Sequence, residues 1–338
     1  MSRSRRRSSG RRTNLALAVL LPLAALTGGL SFAIGVDWLV DPTTMHAVMA
    51  LGVALLTPWK SAIVRRGMAR RRPTRWISVA LGSVVIITLM SGLLHATGLT
   101  YRIGPLTVMQ VHVGGGFTAL VLAWLHYRSH PVRLRRVDLD RRALLRSAGL
   151  AGLAAVVWAG WESTVRAAGL PGAGRRFTGS HERSSGDPAG MPVTSWLDDR
   201  TPRVDAASWT LTVNQAKLTL EGLKGLPSDR FSAILDCTGG WYSEQEWEGV
   251  RLDRLVDPQQ ARSLVVRSAT GYQRRLPTSD LSRVWLAHRL GGHSLSPGHG
   301  FPVRLVAPGR RGFWWVKWVV EIETSSRPSW LQLPFPPT

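Results

Sequence analysis

The residues best suited to chemistry in this sequence include its only cysteine. Cys237 lies in "AILDCTGGWYSEQEWEGVRL", where an apolar run breaks into a glycine turn, and it has no second cysteine with which to form an intramolecular disulfide. A nucleophilic cysteine would need an activating base, and a zinc site would need further ligands. The spacing of the available histidines in "HRLGGHSLSPGHG" is typical of neither. An inert buried thiol, or one protein thiolate on a metal held mainly by a non-protein ligand, are the main alternatives. The available histidines are His288, His293 and His299.

Four other histidines lie in apolar stretches of the first half. His46, His95 and His112 fall near the same side of three successive stretches, and therefore at one depth if these cross a bilayer. Imidazoles from different helices at one depth are typical of haem b ligands, and the glycines of "HVGGG" would let a flat macrocycle approach the backbone. We expect at least one haem b, with His112 as one ligand and His46 or His95 opposite. Quinone contacts and plain packing are the alternatives.

His126 lies fourteen residues beyond His112. In a helix this spacing puts both on nearly one face, roughly 21 Å apart along the axis. His126 is a candidate for an inner haem, but no second histidine falls at its depth, because position 60 is a lysine.

Five apolar stretches are long enough to cross a bilayer, which needs roughly 20 residues. Most are apolar on all sides, unlike the amphipathic helices of a soluble bundle. The sequence therefore predicts an N-terminal all-α membrane bundle. The stretches run approximately Leu15–Val36, Thr44–Val64, Trp76–Thr97, Leu106–Tyr127 and Ala143–Val165.

The connecting charges predict the orientation. Segments 1–12, 65–75 and 128–146 hold nineteen arginines, whereas the alternate loops 36–43 and 98–106 hold one. Basic loops stay in the cytoplasm, so we expect a multi-pass protein of the cell membrane with a cytoplasmic N-terminus and an extracytoplasmic C-terminal half. Most of the net charge of +22 flanks the membrane. It therefore indicates a lipid bilayer as partner and no nucleic acid.

The composition changes after the fifth stretch. A Gly/Arg/Ser-rich run, "LPGAGRRFTGSHERSSGDPAG", separates the apolar half from one that reads as a soluble domain. Short β-type runs such as "SWTLTV", "FSAILDC" and "FWWVKWVVEIE" then alternate with turns and predict an α+β domain with a mixed or antiparallel sheet. The predicted division is a basic N-terminus (1–13), a transmembrane domain (14–166), a linker (167–190) and the soluble domain (191–338).

The run before the fifth stretch, "DLDRRALLRSAGLAGLAAVVWAG", carries paired arginines ahead of a moderately apolar helix. It resembles a twin-arginine export signal, here internal, and a simple basic flank is the alternative. With such a signal the outer domain would cross the membrane already folded.

The second half resembles the molybdopterin domain of the sulfite oxidase family over roughly residues 190–325. Four stretches carry the likeness in order. The last is the most specific and reproduces the family's G-x-P-x-R-L-x-x-P-G pattern followed by K-W and I-E. The stretches are "SWTLTVNQAKLTLEGLKGLP", "LDCTGGWYSEQEWEGVRLDRLVD", "VVRSATGYQRRLP" and "GHGFPVRLVAPGRRGFWWVKWVVEIE".

This resemblance implies roles for individual residues. Cys237 stands where the family places its molybdenum-ligating thiolate, and His299 and Arg304 stand at pterin-contacting positions. Lys317, with the Trp315–Val316 backbone, falls on the phosphate-binding position. Thr270 lies where a further cofactor contact is expected.

One departure from the family concerns the substrate. Eukaryotic sulfite oxidases follow the cysteine with a Gly-Asn-Arg-Arg segment that suits an anion, whereas this chain has Thr-Gly-Gly-Trp-Tyr. A catalytic pocket edged by Trp241 and Tyr242 suits a neutral oxo-acceptor such as a sulfoxide, although both aromatics could equally belong to the core.

Together the two halves predict a membrane-anchored molybdenum oxidoreductase that transfers an oxygen atom to or from a small molecule outside the cytoplasm. Electrons would be exchanged through haem b with membrane quinone or quinol. The arrangement resembles bacterial systems that pair a molybdenum methionine-sulfoxide reductase with a haem membrane subunit. The alternatives are a non-catalytic membrane protein with a sulfite-oxidase-like binding domain and a haem-free anchored molybdoenzyme.

Overall fold

The computed structural model describes residues 3–35, 41–68, 75–132, 134–135, 138, 140–196 and 199–336. The chain divides into two compact units. One comprises Met1–Phe32 with Asp37–His181, and the other comprises Glu182–Thr338 with Ala33–Val36. The loops on which the predicted orientation depends, 36–43 and 65–75, lie partly outside the described residues.

The first unit is built from five long helices, each apolar enough and long enough to cross a membrane. They confirm the predicted layout of five apolar helices ahead of a mixed-sheet domain. The helices are α1 (Arg3–Ala33), α2 (Pro42–Met68), α3 (Arg75–Thr97), α4 (Val108–Ser129) and α5 (Arg141–Ala167).

Helix α4 begins later than predicted, because a short hairpin precedes it. Strands β1 (Arg102–Ile103) and β2 (Leu106–Thr107) pair antiparallel. The Thr107 hydroxyl accepts from the Gln110 N–H at 3.0 Å, and the Gln110 side chain accepts from the Thr107 N–H at 2.7 Å. This reciprocal capping box satisfies two amides that a helix start would otherwise leave unpaired, and so fixes the boundary.

The first part of the predicted linker is folded onto the helical unit. A 3-10 turn at Pro171–Gly174 follows α5. Arg175 then forms an ion pair with Glu162 of α5, and the Thr43 hydroxyl donates to the Phe177 carbonyl at 2.6 Å. The chain therefore passes from the helical unit to the second unit at residue 182, within the segment 167–190 predicted to be a linker.

The second unit contains two sheets and one short helix, α6 (Leu220–Lys224). In the six-stranded sheet β7 pairs with β6, β10 and β3, and β10 pairs also with β11 and β12; in the five-stranded sheet the order is β5-β4-β13-β8-β9. Only the β4–β13 pair in the second sheet is parallel. The strands are β3 (His181–Glu182), β4 (Thr210–Val213), β5 (Ala216–Thr219), β6 (Asp229–Cys237), β7 (Trp241–Arg251), β8 (Ser263–Ser268), β9 (Gln273–Pro277), β10 (Trp285–Leu290), β11 (His293–Ser294), β12 (Arg304–Val306) and β13 (Val319–Ser325).

Strand β7 shows why these segments fold as a sheet. Its buried and more exposed positions alternate, so that Trp241, Ser243, Gln245 and Trp247 all face inward. The run "FWWVKWVVEIE" is different, since its first part is a 3-10 turn (Gly312–Trp314) and only its second half is a strand.

Candidate cofactor site and histidine pair

Cys237 ends β6 and pairs with Trp241 across a tight hairpin. The Gly240 N–H donates to the Cys237 carbonyl at 3.1 Å, and Gly240 has a φ of 86°, in the region that glycine adopts without strain. The Gly239 N–H points to the Cys237 Sγ at 3.3 Å. The glycine turn thus holds the sulfur at the end of the hairpin and supplies one donor that favours a thiolate.

Burial raises the pKa of the Cys237 thiol, whereas the Gly239 N–H and the Arg311 cation oppose the shift. A free thiol at this position is therefore protonated at neutral pH and poorly suited to be a nucleophile. A bound metal reverses that preference, because a coordinating thiol is deprotonated. Among the described residues no three His, Cys, Asp or Glu side chains are grouped to hold a metal ion, so a zinc site made from protein ligands alone is not assembled.

A buried ion pair lies at the end of strand β6, next to Cys237. Arg311 and Asp236 form an ion pair in which both side chains are almost completely buried, and Arg311 Nη2 also donates to the Cys237 carbonyl at 3.4 Å. The next residue, Gly312, passes so close that an added Cβ would lie 3.1 Å from the Cys237 Cα. No local sequence pattern indicates this pair, because its two residues are 75 positions apart.

A pocket opens beside Cys237. Its lining combines aromatic rings with buried cations, as a site for a large polar cofactor would. It is lined by Pro192, Thr194, Ser195, Trp196, Asp199, Leu235, Cys237, Thr238, Trp241, Tyr272, His299, Arg304, Gly312, Phe313, Trp315 and Lys317.

The pocket contains two buried cations, Arg304 and Lys317. Arg304, only 2% exposed, donates to the carbonyls of His299 (3.1 Å) and Trp315 (3.4 Å), and its Nε has no hydrogen-bond partner. Lys317 Nζ donates to the carbonyls of Thr194 (3.0 Å) and Gly298 (2.6 Å). Within the described part of the chain, neither forms an ion pair with a carboxylate. Because a buried unpaired charge is costly, the arrangement is that of a site for an anion.

Burial lowers the pKa of Arg304 to about 9. It also lowers the pKa of Lys317 to about 7, and the neighbouring Arg304 cation lowers it further. Both pKa values are lowered, as expected for buried cations whose counter-charge comes from a bound ligand. The two side chains therefore fit a phosphate or another polar anionic group of a cofactor.

This arrangement predicts a pH-dependent stability. Below pH 7 Lys317 is charged in both the folded and the unfolded chain, and the full cost of burying its charge lowers the free energy of unfolding. Above pH 7 only the unfolded chain keeps the proton, so the free energy of unfolding should rise between pH 7 and 8.5 by up to ~1.4 kcal/mol per pH unit. Hydrogen exchange in β12 and β13 of cofactor-free protein in detergent measures this rise. Lys317→Met should abolish it, whereas the exposed control Lys217→Met should not, and an equal slope in Lys317→Met would contradict the assignment.

His299 lies in the pocket with both ring nitrogens occupied. Nδ1 lies 2.9 Å from the Ser296 hydroxyl and Nε2 lies 3.1 Å from the Met191 carbonyl. Burial lowers the pKa of His299 to about 4, so that the ring is neutral. His299 therefore contributes the face of its ring to the pocket, and its backbone carbonyl accepts the hydrogen bond from Arg304. Both ring nitrogens are already engaged.

The other predicted contacts are placed less uniformly. Trp241 and Trp315 line the pocket, and the Trp241 indole donates to Thr194 at 3.1 Å. Tyr242, next to Trp241 in β7, points to the opposite face of the strand and is not among the lining residues.

Two further predicted contacts, Val316 and Thr270, do not line the pocket. Val316 is fully buried, and its N–H donates to the Trp314 carbonyl at 3.2 Å. Thr270 is exposed on the β8–β9 turn, with its hydroxyl 2.9 Å from that of Ser268.

Sequence reasoning missed Thr194, Trp196 and Asp199 as part of the site. The Thr194 hydroxyl accepts a hydrogen bond from the Trp241 indole, and the Thr194 carbonyl accepts one from Lys317. Trp196 and Asp199 form part of the pocket lining. Residues 192–196 have no regular secondary structure and carry no motif. The only available sequence signal was the aromatic side chain of Trp196.

Comparisons with known proteins agree with this geometry. Residues 198–331 match the oxidoreductase molybdopterin binding domain. Mitochondrial sulfite oxidase of Drosophila melanogaster is 27% identical over 146 residues, which cover 33% of this chain and 26% of that protein. The NADPH nitrate reductase of Mycosarcoma maydis is 50% identical over 50 residues, covering 15% of this chain and 5% of that protein. The second unit is thus similar, over residues 198–331, to the oxidoreductase molybdopterin binding domain, and over shorter stretches to sulfite oxidase and nitrate reductase.

The similarity does not extend to whole proteins, since the chain covers only 26% and 5% of the length of these two relatives. The uncharacterized oxidoreductase YuiH of Bacillus subtilis is 27% identical over 131 residues, covering 35% of this chain and 66% of that protein. The sulfane dehydrogenase SoxCD of Paracoccus pantotrophus aligns with a TM-score of 0.36 and 25% identity, over 38% of this chain and 40% of that one.

In the helical unit, His46 of α2 and His112 of α4 face each other. Their Nε2 atoms are 3.4 Å apart and their ring centroids 5.6 Å. Each Nδ1 lies against a carbonyl, His46 on Ala24 at 2.7 Å and His112 on Thr88 at 2.8 Å. A carbonyl can only accept, so both Nδ1 atoms carry a proton, and in neutral rings both Nε2 atoms then present lone pairs. Two facing lone pairs repel each other unless a proton or a metal cation lies between them.

The remaining histidines lie elsewhere. His95 Nε2 lies 2.9 Å from the Gly179 carbonyl, and its ring packs edge-on against His181 at 4.7 Å. His126 is stacked on His130 at 4.8 Å, with its Nδ1 3.1 Å from the Ser78 hydroxyl. Of the two partners predicted for His112, the structure therefore brings His46 and not His95 to it.

Proposed function

We propose that this protein is a membrane-anchored molybdenum-molybdopterin oxidoreductase that transfers an oxygen atom on the extracytoplasmic side and exchanges electrons with quinone through haem b. The observation that carries the proposal is one pocket holding a buried cysteine and two buried cations that, among the described residues, form no ion pair with a carboxylate. The family match to residues 198–331 supports the same cofactor.

The residues present fit molybdopterin. Cys237 would hold the metal through its sulfur, with the Gly239 N–H orienting the thiolate. Arg304, through its unpartnered Nε, and Lys317 would bind anionic oxygens of the pterin and its phosphate. When bound, this cofactor supplies two-electron oxygen-atom transfer chemistry.

The pocket favours a neutral substrate. Trp196, Trp241 and Tyr272 supply aromatic surface, and Asp199 adds a carboxylate that would repel an anion. The two buried cations would already be neutralised by the cofactor. A sulfoxide, polar at one oxygen and otherwise apolar, suits such a pocket better than sulfite, and Tyr242 belongs to the proposed site only as support for the Trp241 strand.

The His46–His112 pair supports the haem. A metal-binding histidine usually donates its other ring N–H to a carbonyl, which fixes the tautomer, and both rings satisfy this. Gly28 and Gly92 pass so close to the two rings that added Cβ atoms would lie 2.8 Å from His46 Nδ1 and 2.7 Å from His112 Cε1. Haem between these helices would supply one-electron transfer.

The five apolar helices and the arginine-rich segments support the proposed orientation. They would place His46 and His112 at the outer side of the bundle. Membrane quinone or quinol is the proposed electron partner because it is a lipid-soluble two-electron carrier.

Elemental analysis and an optical spectrum of the full chain in detergent test this function. Wild-type protein, made in cells with intact cofactor synthesis and export, should hold near-stoichiometric molybdenum and a reducible b-type band. Cys237→Ser should lose the molybdenum and keep the band, whereas His112→Ala should lose the band and keep the molybdenum. The exposed control His293→Ala should lose neither.

The same measurements separate the alternatives. Absence of both cofactors would overturn the redox function and leave a binding domain on a membrane anchor. Molybdenum without a haem band would indicate an anchored molybdoenzyme served by a separate electron carrier.

A further inference from the structure

Among the described residues, the lining of the pocket beside Cys237 contains one carboxylate, that of Asp199. The Asp199 N–H donates to the Trp196 carbonyl at 2.8 Å, which closes a tight turn between them. Trp196 lines the same pocket, and its ring packs against the ring of Phe313 with centroids 5.9 Å apart. The pocket therefore combines one carboxylate with neighbouring aromatic rings.

The Asp199 carboxylate is not the counter-ion of the buried cations. Among the described residues it forms no ion pair, and Lys317 Nζ donates instead to the carbonyls of Thr194 and Gly298. Burial and the Arg304 cation lower the pKa of Lys317 to about 7, although Asp199 acts in the opposite direction. The half-buried carboxylate is therefore available to a ligand.

The charge of the loaded pocket makes Asp199 important. A phosphate monoester carries about −1.5 to −2 charge at neutral pH, which matches or exceeds the combined charge of Arg304 and Lys317. Once a cofactor phosphate neutralises these two cations, the carboxylate of Asp199 has no compensating charge in the lining. The loaded pocket is then negative, so it repels anions and attracts cations.

The aromatic lining favours the same kind of ligand. An ammonium group is attracted to the face of an aromatic ring, and this attraction grows when water is excluded. Trp196, Tyr272 and Phe313 supply such rings in the pocket that contains Asp199. Aromatic faces next to a carboxylate bind a cationic amine better than a neutral group of the same shape.

We propose that Asp199 is a specificity-determining residue that selects a substrate with a cationic amine, bound between the carboxylate and the aromatic rings of the pocket. The inference rests on the proposed function, because it names the substrate class of the same pocket. The substrate is then a sulfoxide whose oxygen-bearing end is neutral and whose far end carries an ammonium group.

A pair of sulfoxides that differ only in charge tests the selection. One is a methyl sulfoxide whose second arm ends in a trimethylammonium group, and the other carries a tert-butyl group in its place. For the full chain in detergent, with one electron donor throughout, kcat/KM should favour the cationic sulfoxide by about tenfold or more. Asp199→Asn should bring this preference close to one through KM, with kcat little changed, because the ammonium group does not react.

A binding measurement gives a readout that does not depend on turnover. The two corresponding sulfones are titrated into molybdenum-loaded protein by calorimetry, and molybdenum content is measured for each variant. Wild type should bind the cationic sulfone about tenfold more tightly than the neutral one. Asp199→Glu should keep this preference, whereas Asp199→Asn should lose it.

Glu246→Gln is the matched control, since Glu246 is an exposed carboxylate of β7 that does not line the pocket. It should leave both the kinetic and the binding preference unchanged. Equal affinity of the wild type for the two sulfones would overturn the inference, and so would a preference that survives Asp199→Asn.

The two measurements also separate this inference from the proposed function. If molybdenum-loaded protein bound the cationic sulfone through Asp199 but reduced neither sulfoxide, the cation site would stand and sulfoxide reduction would be wrong. If it reduced both sulfoxides equally well, sulfoxide reduction would stand and the cation site would be wrong.

Discussion

Arg304→Met is expected to make the cofactor-free protein more stable and to abolish its retention of molybdopterin. Arg304 is a fully buried cation whose pKa burial lowers to about 9, so its charge is a cost to the folded chain until an anion arrives. Methionine keeps much of the packing between the rings of Trp247 and Trp315, whose centroids lie 5.2 and 5.6 Å from the guanidinium. Replacing buried charged groups by well-packed apolar ones of similar volume is often neutral or stabilising, by up to about 4 kcal/mol.

The opposite signs of the two effects make this test specific. Stability is measured by chemical denaturation of protein made without molybdenum, and retention by molybdenum content of protein made with it. Arg267→Met is a suitable control, because Arg267 is partly exposed and paired with Glu321 and Glu323. It should change stability by less than about 1 kcal/mol and leave molybdenum unchanged. A destabilised Arg304→Met protein that still held molybdenum would refute the anion-site interpretation.

Asp236→Asn is expected to destabilise the second unit by about 3–5 kcal/mol, because it leaves the Arg311 cation buried without its counter-charge. Both side chains of the pair are nearly inaccessible to solvent. Since Asp236 directly precedes Cys237, and Arg311 also donates to the Cys237 carbonyl, molybdenum content should fall together with stability. Denaturant unfolding and elemental analysis measure the two losses.

A double-mutant comparison identifies the cause. The double variant Asp236→Leu/Arg311→Met removes both charges and should recover most of the stability lost in Asp236→Asn. Asp253→Asn breaks the more exposed pair with Arg251 and should cost no more than about 1 kcal/mol. Equal losses in Asp236→Asn and Asp253→Asn would show that burial of the Asp236–Arg311 pair contributes little.

The parts of this protein that follow from local pattern were predictable. Apolar length alone predicted α1 to α5, and the glycine turn after Cys237 predicted a strand end at the cysteine. The start of α4 was missed by two residues, since the capping by Gln110 depends on a hairpin that composition does not reveal.

The parts that depend on contacts distant in sequence were not predictable. Asp236 and Arg311 form an ion pair across 75 positions, and Thr194 reaches Lys317 across 123. Thr270 illustrates the limit of transferring a role by family position, because its turn leaves it exposed. Histidine depth indicated His46 and His95 equally as partners of His112. Only side-chain direction, which depends on helix rotation, separates them.

The packing of the last described residues has a practical consequence for handling the protein. The Trp196 indole donates to the Pro336 carbonyl at 3.0 Å, and Phe335 packs against Trp196 and Phe313 with ring centroids 6.3 and 5.7 Å away. Trp196 and Phe313 both line the pocket beside Cys237. An affinity tag attached after Pro336 would therefore emerge next to the pocket and compete with substrate for entry.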